Sequence, residues 1–150
     1  MTATERYALV VARFYEGLAE RLTAGAQRAF AEAGVAEHQL DLFEVPGSFE
    51  LPLAAKSCAD CGRYRGVVCL GGVIRGDTDH YDYVCAAAAQ GVLRAGLDSG
   101  VPCSFGVLTC DTMEQAVARV GAQKRDTGYA AASAVLQMAQ LLASIKSLSQ

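Results

Sequence analysis

Apolar residues fall into two alternating patterns along this chain. Short continuous runs, such as Tyr7-Ala8-Leu9-Val10-Val11-Ala12 and Gly66-Val67-Val68-Cys69-Leu70, read as strands covered on both faces. Between such runs, apolar positions recur at helical spacing. Leu18, Leu22, Ala26, Ala29 and Ala33 mark the face of a first helix, and Gly34 supplies its C-terminal cap. Residues 39–45 read as a second strand. A helix over 49–59 follows, entered through Pro46-Gly47-Ser48. Residues 65–73 form a third strand, and Thr78 or Asp79 caps a long third helix that runs to Asp98. Gly100 and Pro102 break the chain before a fourth strand over 102–109. Asp111 or Thr112 caps a short helix ending near Gly121. A last helix follows Asp126-Thr127-Gly128, with Val135, Met138, Leu142 and Ile145 on one stripe.

Strands and helices alternate throughout, which predicts a parallel sheet with helices on both faces. The expected architecture is a single α/β domain over residues 1–150, a three-layer flavodoxin-like sandwich with a four-stranded parallel sheet. Hydrophobic residues make up 52% of the chain and charged residues 19%, which excludes a disordered chain. Alanine runs at 86–89 and 130–132 permit close helix packing. So little charge on so small a domain points to a homo-oligomer. The net charge of −3 argues against a nucleic-acid surface or a polybasic membrane surface. No apolar run is expected to span a membrane, and the polar start from Met1 to Arg6 lacks a secretory core. The cytoplasm is the expected compartment.

Without a secretory segment, the six cysteines read as free thiols. Cys58-Ala59-Asp60-Cys61 is a C-x-x-C at a helix end, not at the helix start that a thioredoxin-type motif occupies. No second such pair accompanies it, and His38 and His80 are the only histidines, so no metal is expected.

In an open parallel sheet, ligands bind beyond the carboxyl ends of the strands. Four loops leave those ends: Arg13-Phe14-Tyr15, Val45-Pro46-Gly47-Ser48, the stretch from Val73 to His80, and Thr109-Cys110-Asp111. The third follows Gly71-Gly72 and reads Val73-Ile74-Arg75-Gly76-Asp77-Thr78-Asp79-His80. Its glycines and helix-start amides suit an anion, and His80 is placed to transfer a proton beside one. Taken singly, the other candidates have ordinary readings. Phe14 could be a core aromatic. Gly47, Ser48 and Glu50 could be a helix cap, and Arg119 could be a cation at a helix C-terminus.

The segment from Gly71 to Val84, together with Val45-Pro46-Gly47-Ser48-Phe49-Glu50-Leu51-Pro52, closely resembles the two signatures of the lumazine synthase family. The likeness extends from Ala12 into the last helix. It implies condensation of 5-amino-6-(D-ribitylamino)uracil with 3,4-dihydroxy-2-butanone 4-phosphate, releasing phosphate and water, without a cofactor. By the same resemblance, Phe14 stacks on the pyrimidine, and Gly47, Ser48 and Glu50 hold the ribityl chain and ring edge. Val73 and Ile74 complete the substrate-binding set, and Gly76, Asp77 and Thr78 cradle the phosphate. His80 transfers protons. Arg119 binds the phosphate from a neighbouring subunit, and Phe105 closes the pocket across the same interface. A homo-oligomer built from pentamers is implied.

The chain departs from the family pattern at three positions. Tyr15 stands where Asn is usual, Thr127 where Lys is common and Ala130 where an acid is frequent; Lys124, Arg125 and Asp126 lie close by in sequence. Two other readings are an archaeal-type riboflavin synthase, related in fold, and a non-catalytic shell protein that binds flavin or lumazine. The Gly76-Asp77-Thr78…His80 loop favours a phosphorylated substrate and so argues against the first. Thr127 and Ala130 are the only support for the second.

Overall fold

The computed structural model describes residues 5–121 and 125–149. Its elements run β1 (Tyr7–Ala12), α1 (Glu16–Glu32), β2 (Leu40–Val45), α2 (Leu51–Asp60), β3 (Gly66–Ile74), α3 (His80–Ser99), β4 (Cys103–Cys110), α4 (Met113–Val117) and α5 (Thr127–Ser147). The four strands form one all-parallel sheet in the order β2-β1-β3-β4. This is the expected α/β architecture.

Side-chain alternation along the central strands divides the core in two. Tyr7, Leu9, Val11, Val68, Leu70, Leu108 and Cys110 face α1, α4 and α5. Ala8, Val10, Ala12, Val67, Cys69, Val73 and Val107 face α2 and α3. The central strands β1 and β3 are buried on both faces over nearly all their length, as their continuous apolar runs require. β2 differs. It is an edge strand that leaves Leu42 and Phe43 partly exposed, so its apolar character does not report two covered faces.

Local chemistry moves two boundaries and fixes a third as expected. Pro52 sits in the first turn of α2, where its missing N–H costs nothing, and a 3-10 turn over Ser48–Glu50 takes the place of the helix start expected at Phe49. The Thr112 hydroxyl caps α4 by accepting from the Gln115 N–H at 3.2 Å, and α4 ends at Val117, short of Gly121. Asp79 is the N-cap of α3 without a side-chain bond. Thr78 Oγ1 accepts from the His80 N–H at 3.3 Å instead.

α5 requires a larger correction. Its buried face is Gly128, Ala131, Ala132, Val135 and Ala139, whereas Met138 and Ile145 are exposed. The small residues win because they let backbones approach. A Cβ on Gly128 would lie 2.1 Å from the Leu22 carbonyl oxygen on α1. By length and composition α5 could also cross a membrane, with a mean hydropathy of 1.2. The sequence reading that no apolar run reaches a membrane span is corrected to that extent. In this fold α5 is a packed helix lying on α1, β3 and β4. The Arg65 guanidinium donates to the Ala139 carbonyl at 2.9 Å, a charge-assisted hydrogen bond that ties α5 to the chain just before β3.

Six free cysteines are present. Cys69 and Cys110 are buried, Cys58, Cys85 and Cys103 half-buried, and Cys61 exposed. Burial holds the Cys103 thiol up at about 11, with Cys58 and Asp60 adding to it. Among the described residues no group of histidines, cysteines or acids is arranged to hold a metal.

Candidate active site

The loops that leave the carboxyl ends of β1, β2 and β3 enclose a cleft of about 630 Å³. Its polar groups come from Gly47, Ser48 and Glu50 after β2 and from Gly76, Thr78 and His80 after β3. Phe14, Val73 and Ile74 supply apolar walls. Nine of the sequence-predicted site residues therefore meet in one cleft of one chain.

Phe14 is 73% exposed, which rules out the core-aromatic reading and leaves its ring free at the mouth. Tyr15, half-buried and packed on the core, meets that ring edge-on, with centroids 4.9 Å apart and planes at 84°. The 3-10 turn after β2 is internally bonded. The Gly47 N–H donates to Glu50 Oε1 at 2.9 Å, which fixes the carboxylate at the cleft, and the Glu50 N–H donates to the Gly47 carbonyl at 3.1 Å. Ser48 is buried, and its hydroxyl donates to the Gly72 carbonyl at 3.3 Å. This bond ties the second loop to the end of β3.

Residues 75–80 are exposed, and His80 opens α3. Tyr81, behind it, lines the cleft beside Val84. Burial pushes the Tyr81 phenol upward, Cys85 adds to the shift, and Thr109 opposes it by hydrogen bonding. The Asp111 carboxylate, hydrogen-bonded to the Arg75 guanidinium, raises the already high pKa of that arginine.

Three predicted residues lie outside this cleft. Asp77 is exposed on the turn and is not part of the lining. Phe105 is on β4, and Arg119 follows α4, where its guanidinium donates to the Gln115 carbonyl at 2.8 Å. Conversely, Pro46, Phe49, Tyr81 and Val84 line the cleft and were absent from the sequence-derived set. Phe49 was readable in principle, since it lies within the second signature. Counting it as the first residue of a helix concealed its role as a wall.

A model of the 6,7-dimethyl-8-ribityllumazine synthase family matches residues 4–143. The 6,7-dimethyl-8-ribityllumazine synthase of Deinococcus radiodurans is 48% identical over 141 residues, covering 94% of this chain and 91% of the relative. That of Desulfatibacillum aliphaticivorans is 41% identical over 142 residues, covering 95% and 92%. The chain belongs to the 6,7-dimethyl-8-ribityllumazine synthase family.

The departures from the lumazine synthase pattern now have structural settings. Tyr15 buttresses Phe14. Thr127 begins α5, and its N–H donates to the Arg119 carbonyl at 2.9 Å, so the backbone there still holds the arginine segment. Ala130 is exposed on α5. Lys124 lies outside the described residues, and Arg125 is exposed. Asp126 does not replace the missing acid. Its Oδ1 accepts from the Tyr129 N–H at 3.1 Å as the helix cap, and Oδ2 pairs with Arg28 at 3.1 Å.

Proposed function

We propose that this chain catalyses the lumazine synthase reaction, condensing 5-amino-6-(D-ribitylamino)uracil with 3,4-dihydroxy-2-butanone 4-phosphate. The observation that carries the reading is the convergence of both signature loops on one cleft in a chain of this family. The pyrimidine stacks on Phe14 beside Val73 and Ile74, with its ring edge at the turn over residues 47–50. Gly47, Ser48 and Glu50 meet the ribityl hydroxyls, where a carboxylate and backbone amides suit a polyol. Gly76, Asp77 and Thr78 receive the phosphate at the start of α3, where helix-start amides favour an anion.

The 5-amino group attacks the ketone and an imine forms with loss of water. Phosphate is then eliminated, the enol tautomerises, and ring closure expels a second water. The protein contributes orientation and proton transfer, the latter through His80.

Phe105 and Arg119 lie outside the cleft of their own chain and act in that of a neighbour. We place the active sites at the interfaces of a homopentamer in the cytoplasm. The exposed apolar residues Leu93, Leu97, Met138, Leu141 and Ile145 support burial against other copies. The test is incubation with both substrates, following lumazine absorbance and phosphate release. Lumazine formed well above the spontaneous rate supports the reading. Riboflavin made from lumazine alone, or binding without turnover, would replace it.

A further inference from the structure

We infer that Arg75 is a positioning residue that clamps the turn over residues 76–80 to the end of β4, so that the phosphate cradle and His80 keep one geometry; this rests on the function proposed above. The turn has little else to shape it. Residues 75–80 are exposed, and a Cβ on Gly76 would meet nothing within 4 Å, so packing does not define its path. The only side-chain hydrogen bond described within it is that from the His80 N–H to Thr78 Oγ1, at 3.3 Å. Its geometry is therefore set at its two ends, and Arg75 acts on both.

At the first end, the Arg75 N–H donates to the Cys110 carbonyl at 2.9 Å, carrying the β3–β4 ladder just past β3. The side chain then reaches across to β4. Its Nε donates to Asp111 Oδ1 at 2.8 Å, and the Asp111 backbone N–H is itself held by Gln115 Oε1 at 2.9 Å. At the far end, the same guanidinium lies over the Tyr81 ring, 4.3 Å from its centroid, and 3.6 Å from Asp82 Oδ1. His80 sits between these contacts, directly before Tyr81.

A single exposed ion pair contributes little. A planar guanidinium held by an acid on one loop, an acid on the next helix and an aromatic face has few orientations left. Lysine has a charge but neither the fork nor the flat face, so the arrangement is specific to arginine.

The test is hydrogen exchange across the chain in the wild type, Arg75→Ala, Arg75→Lys and Asp111→Ala, paired with steady-state kinetics. The hydrogen-bonded amides of Arg75, His80, Asp82 and Tyr83 should exchange roughly tenfold faster in Arg75→Ala and Asp111→Ala, with those of β1 and β3 unchanged, as expected for loss of a local restraint. Arg75→Lys should fall between. The KM for the phosphorylated substrate should rise roughly tenfold in Arg75→Ala while that for the aminopyrimidine stays within about twofold. Unchanged exchange at these four amides in the two alanine variants overturns the inference. So does an equal rise throughout the sheet, which would make Arg75 a general stability contact. If the wild type forms no lumazine, the proposed reaction fails, and the exchange comparison still decides the clamp.

Discussion

Ser48 and Gly71 compete for one space at the floor of the cleft. A Cβ on Gly71 would lie 2.8 Å from Ser48 Oγ and 3.0 Å from Ala12 Cβ. Because Gly71 has none, the Ser48 hydroxyl drops into the core and donates to the Gly72 carbonyl. The glycine thus sets the depth of the neighbouring loop, and with it the positions of Gly47 and Glu50.

Gly71→Ala should therefore disturb both stability and the polyol subsite. Overpacking of this kind costs about 1–3 kcal/mol. The displaced Ser48 turn should raise the KM for the aminopyrimidine more than that for the phosphorylated ketone. Denaturant unfolding and steady-state kinetics read the two effects. A variant of unchanged stability and unchanged KM would show that the space is not contested.

His80→Ala should lower kcat by about 10²-fold, the scale of a positioned general acid–base group. Aminopyrimidine binding, measured by direct titration, should be retained, because Phe14 and the 47–50 turn belong to the loops after β1 and β2 and are untouched. A comparable loss of pyrimidine affinity would indicate that His80 shapes the pocket and does not transfer protons.

The central strands were legible because burial on both faces leaves an uninterrupted apolar run, and the cap of α4 was narrowed to Asp111 or Thr112 because capping chemistry is local. The inward face of α5 was not. Hydrophobicity favoured Met138 and Ile145, but the packed face is the one whose small side chains let α1 and α5 touch at Gly128 and Leu22. Bulk and burial diverge wherever close backbone approach decides the packing. In the site, residues of consecutive loops were brought together by parallel topology alone. Phe105 and Arg119 fall outside that logic: neither lines the cleft of its own chain, and only the family resemblance assigns them to a site. The role of Arg75 was equally hidden, because its partners Asp111 and Tyr81 meet it only through folding.

Far from the cleft, Asp41 makes stability depend on acid. It accepts from Arg6 at 2.7 Å, from the Tyr64 hydroxyl at 2.7 Å and from Arg63 at 3.0 Å. These bonds, that of Arg6 foremost, hold its carboxyl well below the usual range, while burial and the carboxylate push the Tyr64 phenol up to about 12. A carboxyl whose folded pKa is depressed stabilises the fold above its unfolded pKa of about 4 and loses that contribution as pH falls towards the folded value. Asp41→Asn should therefore cost about 1–2 kcal/mol at neutral pH, a charge-assisted hydrogen-bond magnitude reduced for partial exposure. The gap between variant and wild type should narrow as the pH is lowered below about 4. Thermal unfolding across this range checks it, and a gap independent of pH would assign the loss to shape and not to charge.

Arg119 gives the sharpest test of shared sites. Arg119→Ala should weaken binding of the phosphorylated substrate by roughly ten- to a hundredfold, the loss of one charge-assisted contact, and leave the pyrimidine nearly unaffected. The same substitution also discriminates between a site within one chain and a site between chains. If His80 comes from one subunit and Arg119 from its neighbour, a mixed oligomer of Arg119→Ala and His80→Ala chains contains some sites with both residues intact. At equal proportions, half the chains retain His80 and half of their neighbours retain Arg119. About a quarter of the sites are then complete in a randomly assembled ring. Assayed with the phosphorylated substrate well below saturation, activity after co-refolding should rise towards about a quarter of the wild-type value, well above either variant alone. If both residues serve their own chain, every site carries one defect and mixing restores nothing. Sedimentation of the co-refolded sample confirms that the subunits have mixed, so an absence of recovery in true hybrids would place Arg119 and His80 in the same subunit's site.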